Sequence, residues 1–224
     1  LLSLLSRCNN ADIASAARTA ELLLQAGDRV TEAARKQVAR IGESFEFYRK
    51  DFASDLLGET DRGLQRLYAL FEVKPAARRI MHDGTSPIHV SADTWQRQFE
   101  ELWELLVPGH GHAQTVQGEV IRICGKVSHE ILDNGAANWS REYQALPGYF
   151  AMGNPIGKQS GDTSLLHRVF KKNDKDEDQE AVALARSIGA DSDEATLDRL
   201  CELAVKWVLA NPLPIQLDKV NYTR

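Results

Sequence analysis

The stretch AQTVQGEVIRICGKVSHEILD, residues 113–133, is the most regular segment of the 224-residue chain. When each residue is turned by about 100° from the last, apolar and polar side chains fall on opposite arcs, which predicts an amphipathic α-helix. The apolar arc contains Val116, Val120, Ile123, Val127 and Ile131. Asn134 and Gly135 follow the stretch, and both residue types are common just beyond the end of a helix.

The polar arc of this helix carries most of the candidate site residues. Acid–base chemistry on an anionic substrate requires a carboxylate or an imidazole beside a cation. Glu119 and His129 are therefore the candidate catalytic residues, and Arg122, Lys126 and Glu130 are candidate ligand-binding residues. The alternative is an exposed face with spaced salt bridges and no role in chemistry.

Three residues of the same helix suggest close packing. Gly118 and Gly125 each cost about 1 kcal/mol relative to alanine inside a helix, so we expect a neighbouring element or ligand to approach them closely. Gln117 projects onto the apolar flank, where a buried amide must find hydrogen-bond partners. We therefore expect these three residues on the packed side or edge of the helix, while Glu119, Arg122 and Lys126 face a groove or solvent.

Helical patterns continue on both sides of this stretch and predict the fold class. Apolar residues at intervals of three and four favour helices over residues 11–26, 31–56, 63–73, 95–106, 164–171, 181–188 and 192–211. Residues 31–56 form one long helix or two, ending at Gly58, and a short helical turn is expected over 75–81. The apolar stripe of the helix that begins at Trp95 also includes Phe99, Leu102 and Leu106.

The fold class that follows is mainly α, an irregular bundle of about seven to nine helices with at most two short strands. Residues 86–90 are a candidate edge strand, and residues 215–222 are a terminal strand or a docked tail. The acidic run near Asp174 is the only candidate boundary. It separates a helical core, 1–173, from a C-terminal helical segment, 174–224, that packs on it as part of one domain.

Composition excludes several function classes. The 27 basic and 32 acidic residues give a net charge of −5, and no basic cluster is large enough to bind nucleic acid. No apolar run approaches the ~20 residues that span a membrane. Cys8, Cys124 and Cys201 contain no Cys-x-x-Cys pair, which favours a reducing, cytoplasmic compartment. The opening residues lack the pattern of a leader peptide, so we expect a truncated chain.

Two further motifs are weak. The loop of residues 153–161 looks superficially like a phosphate-binding loop, and its Lys158 completes the candidate ligand-binding residues. Met152 and Gln159 occupy positions where that motif needs glycine and Ser or Thr, so a mobile loop is the better interpretation. The His110-Gly111-His112 sequence lacks the spaced partner ligands of a metal site. We predict no metal and no cofactor.

Two hypotheses about function remain, and the sequence does not decide whether the chain is an enzyme. The first is a helical protein-binding module, an inhibitor or immunity-type partner of a basic protein, which the acidic charge balance would attract. The alternative is a helical enzyme or ligand binder that acts on a phosphorylated or carboxylated small molecule. In that case Arg122 and Lys126 hold the anion, and Glu119 or His129 moves a proton.

Overall fold

The computed structural model describes residues 1–141, 143–144, 146, 176–217 and 220, with the backbone alone for 176–179. The described residues form eight α-helices and no β-sheet, which confirms the predicted mainly helical class. The helices are α1 (Leu2–Leu5), α2 (Ile13–Gln25), α3 (Glu32–Tyr48), α4 (Ser54–Phe71), α5 (Trp95–Leu106), α6 (Val116–Leu132), α7 (Asp176–Ser187) and α8 (Glu194–Ala210).

Side-chain caps set the starts of three of these helices. The Thr31 hydroxyl accepts a hydrogen bond from the backbone N–H of Ala34 at the start of α3. The Thr115 hydroxyl does the same for Gly118 in α6, and the Asp193 carboxylate for Thr196 in α8. Each cap satisfies a backbone donor that the first helical turn leaves without a partner, which is why these helices begin where they do.

The chain divides into two compact units, Leu1–Arg79 (the first unit) and Ile80–Arg224 (the second unit). The sequence does not indicate this division, because no glycine-rich or strongly charged linker marks it. The boundary predicted between residues 173 and 174 lies outside the described residues and stays a prediction.

The first unit is built from α1 to α4 around one apolar core. Its fully buried side chains include Leu5, Ile13, Ala17, Ala20, Val38, Phe45, Leu64, Leu67 and Phe71. The alanines of α2 let α4 pack along it at short distance. At the end of α3 the Arg49 guanidinium donates to the carboxylates of Glu46 and Asp61 and lies 4.4 Å above the centre of the Phe45 ring.

Two details of the predicted helices in this unit were wrong. The segment predicted as one helix or two breaks after Tyr48, and α4 then runs through Gly58, where we had expected the stop. One helical glycine costs about 1 kcal/mol, which is less than the burial of the apolar face of α4 contributes. Residues 75–81 are not helical, since α4 ends at a left-handed Glu72 and the Tyr68 hydroxyl accepts the N–H of Ala76.

The second unit surrounds α6. This helix packs against α5 and α8, α7 packs on α8, and twelve of the seventeen α6 residues are buried. The segment before α5 and the segment after α8 are joined by a backbone hydrogen bond, in which the N–H of Ile88 donates to the Pro212 carbonyl at 2.7 Å. Thr115 and Gln216 form an isolated β-bridge. The candidate edge strand at 86–90 forms no strand, and residues 215–217 dock as a tail.

No helix in the described part of the chain is both long enough and apolar enough to cross a membrane.

Candidate functional site

The predicted site residues do not lie together on one face. Glu119 and Arg122 are each 2% exposed, whereas the His129 side chain is 73% exposed. Glu119 and His129 are ten residues apart on α6, about 15 Å along its axis, so they cannot act on one reacting atom. Lys126 is partly buried between these two ends. Lys158 and the loop of residues 153–161 lie outside the described residues.

Glu119 and Arg122 form a two-pronged ion pair inside the second unit. Arg122 donates from Nε to Glu119 Oε2 at 2.8 Å and from Nη2 to Glu119 Oε1 at 2.6 Å. The Glu119 carboxylate also accepts the backbone N–H of Ala113 at 2.9 Å. This geometry is the strong, bidentate form of an arginine–carboxylate contact.

His112 completes what we call the buried ion cluster, which consists of His112, Glu119 and Arg122. Its Nδ1 lies 3.1 Å from Glu119 Oε1 and 3.2 Å from Arg122 Nη2. The role of His112 Nδ1 depends on its tautomer, because a guanidinium can only donate: Nδ1 without a proton accepts from Arg122, and Nδ1 with a proton donates to Glu119. The His112 side chain is 27% exposed, so it is the part of the cluster that solvent reaches.

The prediction that Glu119 and Arg122 face a groove or solvent was wrong. Helical projection assumes that a helix packs on one side, but neighbouring elements enclose the first half of α6 all round. Two opposite charges three residues apart can be buried together because each compensates the other. The polar arc at this end of the helix is therefore an internal ion pair.

Glu130 closes the other end of α6. It is 3% exposed, and it accepts hydrogen bonds from the Asn134 side-chain amide at 2.9 Å and from the backbone N–H of Asn138. The Asn134 amide lowers the pKa of Glu130, with a further contribution from Asn138. Asn138 therefore donates to Glu130, and this carboxylate holds the turn after α6.

Gln117 makes the contacts that its burial requires, as predicted. Its Nε2 donates to the carbonyls of Asn211 and Leu213 at 2.9 and 2.8 Å, and its Oε1 accepts the N–H of Ile215 at 3.0 Å. One side chain of the central helix thus binds three backbone groups of the C-terminal segment. Together with the backbone bonds from Val116 to Ile215 and from Leu217 to Gln114, these contacts hold residues 211–217 against the start of α6.

The close packing predicted at the two glycines of α6 is confirmed. A Cβ atom on Gly118 would lie 2.8 Å from the Ala113 Cβ and 3.0 Å from the Leu106 carbonyl oxygen. A Cβ atom on Gly125 would overlap the ring of Trp103. In both places α6 accommodates its neighbour only because it carries no side chain there.

Replacing Gly118 by leucine is expected to lower the free energy of unfolding by about 1–3 kcal/mol, because the new side chain meets the backbone of Leu106 as well as side chains. Urea denaturation of the full chain, followed by tryptophan fluorescence, measures the loss. All four tryptophans lie in the second unit, so their signal reports this unit. A Gly118→Leu midpoint equal to that of the unmodified chain would contradict the close approach.

Three aromatic residues of α5 form a surface that the sequence pattern alone does not predict. Leu102 and Leu106 of the predicted stripe are buried, but Trp95 and Phe99 are only partly buried, and so is Trp103. We call Trp95, Phe99 and Trp103 the aromatic ridge. The rings of Phe99 and Trp103 are stacked with centroids 6.3 Å apart. Aromatic residues at positions i, i+4 and i+8 were the signal that could have revealed this ridge.

Other site types find little support among the described residues. No three His, Cys, Asp or Glu side chains there come together as metal ligands. An open depression beside α1 and α2 is lined by residues that include Arg7, Cys8 and Asp12, and none of the predicted site residues lines it. No known protein family, curated protein or solved structure matches the chain.

Proposed function

We propose that the chain is a protein-binding module and that the aromatic ridge on α5 is part of its contact surface. The partly buried state of Trp95, Phe99 and Trp103 carries this proposal. Aromatic side chains are enriched at protein interfaces, and tryptophan is prominent among the residues that contribute most to binding. Each ring packs against the core of the second unit with part of its area and leaves the rest accessible to a partner.

The charges around the ridge favour a basic partner. Glu100 and Glu104 are exposed one position beyond Phe99 and Trp103 on the same helix. With a net charge of −5 for the whole chain, they would attract a positively charged protein and speed its association. An inhibitor or immunity-type partner of a basic protein is the form of binding that this arrangement suits best.

The geometry of α6 weakens the support for the small-molecule alternative. In that alternative Arg122 holds the anion, but its side chain is 2% exposed and is paired with Glu119. An incoming phosphate or carboxylate would have to displace that pair, leaving a buried carboxylate without its cation, which costs several kcal/mol. The three free thiols are compatible with a reducing, cytoplasmic compartment, which remains part of the proposal.

Phe99→Ala is expected to weaken binding of the partner by about 30-fold or more, since truncating a central interface residue costs about 2 kcal/mol or more. The partner is captured from an extract of the native host on the full chain and purified. Its dissociation constant is then measured for the unmodified chain and the variant by calorimetry. Thermal melting of Phe99→Ala shows whether the variant is still folded at the temperature used.

Leu22→Ala is the matched control, because Leu22 is also an apolar helical residue and is 66% exposed on the first unit. It is expected to bind as tightly as the unmodified chain. Equal binding by a folded Phe99→Ala variant would refute the ridge as the contact surface. Stabilisation by inorganic phosphate or a simple carboxylate, with no partner captured, would favour the small-molecule alternative.

A further inference from the structure

The structure brings together two cysteines that are far apart in the sequence. Cys124 lies in the middle of α6 and Cys201 in α8, and these two helices pack against each other. Both side chains belong to the buried core of the second unit, and each thiol influences the pKa of the other. The hydroxyl of Ser128, one turn along α6, lies 3.5 Å from the Cys201 sulfur. Both cysteines are present as free thiols.

The two thiols differ in access and in the ease with which they ionise. Cys124 is fully buried, and burial raises its pKa, so it keeps its proton. Cys201 is 6% exposed, and the neighbouring Cys124 thiol lowers its pKa, with a smaller contribution from Ser128. Cys201 is therefore the better nucleophile of the pair and the less buried of the two.

We propose that Cys124 and Cys201 form a redox-sensitive pair that a peroxide converts into a disulfide linking α6 to α8. In the first step the Cys201 thiolate attacks one peroxide oxygen. An S–O bond forms, the O–O bond breaks, and the released hydroxide takes up a proton as water. In the second step the Cys124 sulfur attacks the Cys201 sulfenic acid, the S–S bond forms, and hydroxide leaves with the Cys124 proton as a second water. Two thiols are oxidised and one peroxide is reduced.

The link would join the central helix of the second unit to the last helix of the chain. A disulfide between residues so distant in sequence removes many conformations of the unfolded chain, so it stabilises the folded state. Oxidation would therefore stabilise the second unit against unfolding. A thiol reductant would reverse the change.

Hydrogen peroxide treatment of the full chain, followed by alkylation of the remaining thiols, tests the proposal. The intact mass is expected to show the loss of two hydrogens and a single added alkyl group, at Cys8, whereas the reduced and denatured chain carries three alkyl groups. Trypsin digestion without reduction is expected to yield residues 123–126 linked to residues 200–206, since cleavage follows Arg122, Lys126, Arg199 and Lys206. The melting temperature is expected to rise, and dithiothreitol to restore the original value.

Cys8 provides the internal control. It lies in the first unit, and burial raises its pKa to about 11, so Cys8→Ser is expected to leave the linked peptide unchanged. Cys201→Ser is expected to abolish the link. If Cys201→Ser does not fold, the presence or absence of the linked peptide in the unmodified chain and in Cys8→Ser still tests the proposal. Oxygen adducts on single cysteines with no linked peptide, or loss of the link in Cys8→Ser, would overturn the proposal.

Discussion

Replacing Arg122 by alanine is expected to lower the free energy of unfolding of the second unit by about 3–5 kcal/mol, because removing one member of a buried ion pair leaves the other charge buried without compensation. Glu119 is the charge left behind, at 2% exposure and still in contact with the Ala113 N–H. Tryptophan fluorescence during urea denaturation measures the effect. A loss of this size is a large part of the total stability of a typical domain.

Arg18→Ala is the matched control for this prediction. Arg18 also pairs with a glutamate, Glu59, at 3.0 Å, but the two side chains are 67% and 51% exposed. Solvent-exposed pairs of this kind contribute little, so the control is expected to unfold with the unmodified chain. Arg18 lies in the first unit, which contains no tryptophan, so far-UV circular dichroism follows this control. If Arg122→Ala does the same, the buried ion cluster is not structural, and a ligand-binding role for Arg122 regains support.

A double variant, Glu119→Leu with Arg122→Met, separates the ion pair from the space that it fills. Replacing both charges by apolar side chains of similar size removes the cost of burying them, so most of the lost stability is expected to return. A double variant as unstable as Arg122→Ala alone would mean that hydrogen bonds such as the one from Ala113 to Glu119 determine the loss.

Helical periodicity was sufficient to predict the fold class but not the surroundings of each helix. The repeat of apolar residues in α6 is present in the sequence, and so are the glycines and Gln117 that mark its packed side. Whether a polar arc faces water depends on what packs over it, and that is decided by contacts between residues distant in sequence. The contact of α6 with the segment after Asn211 is one example. Single-sequence patterns carry no information about such partners.

The candidate site was less predictable than the fold for the same reason. Glu119 and Arg122 look alike in the sequence whether they bind a ligand or each other. The spacing of the aromatic ridge is present in the sequence, but it does not show whether the rings are exposed, because Trp95 and Phe99 fit a buried stripe equally well. The proximity of Cys124 and Cys201 depends entirely on the packing of α6 against α8, and no local sequence motif predicts it.

Two glycines in α4 are expected to respond in opposite directions to the same substitution. A Cβ atom on Gly63 would lie 2.7 Å from the Ala14 Cα and 3.0 Å from the Ala14 nitrogen, which belong to the backbone of α2. The backbone of a packed helix cannot move aside cheaply, so Gly63→Ala is expected to destabilise the first unit by about 1–3 kcal/mol. This loss remains after alanine's better helix propensity is included.

Gly58→Ala is the matched substitution in the same helix. The nearest atom to a Cβ there is Nη1 of the Arg62 side chain at 3.6 Å, which is ordinary contact with a flexible group. Alanine is favoured over glycine inside a helix by about 1 kcal/mol, so this variant is expected to gain roughly that amount. The two variants should therefore differ by about 2–4 kcal/mol.

Far-UV circular dichroism during urea denaturation measures both variants, since the first unit contains no tryptophan. The transition of Gly63→Ala should move to lower urea than that of the unmodified chain, and the transition of Gly58→Ala to higher urea. If both variants gain stability, helix propensity alone governs the two positions, and α4 does not cross α2 at Gly63 as closely as the structure has it. If both variants lose stability, α4 is not continuous through Gly58, and the sequence-based expectation that a helix ends at Gly58 is correct.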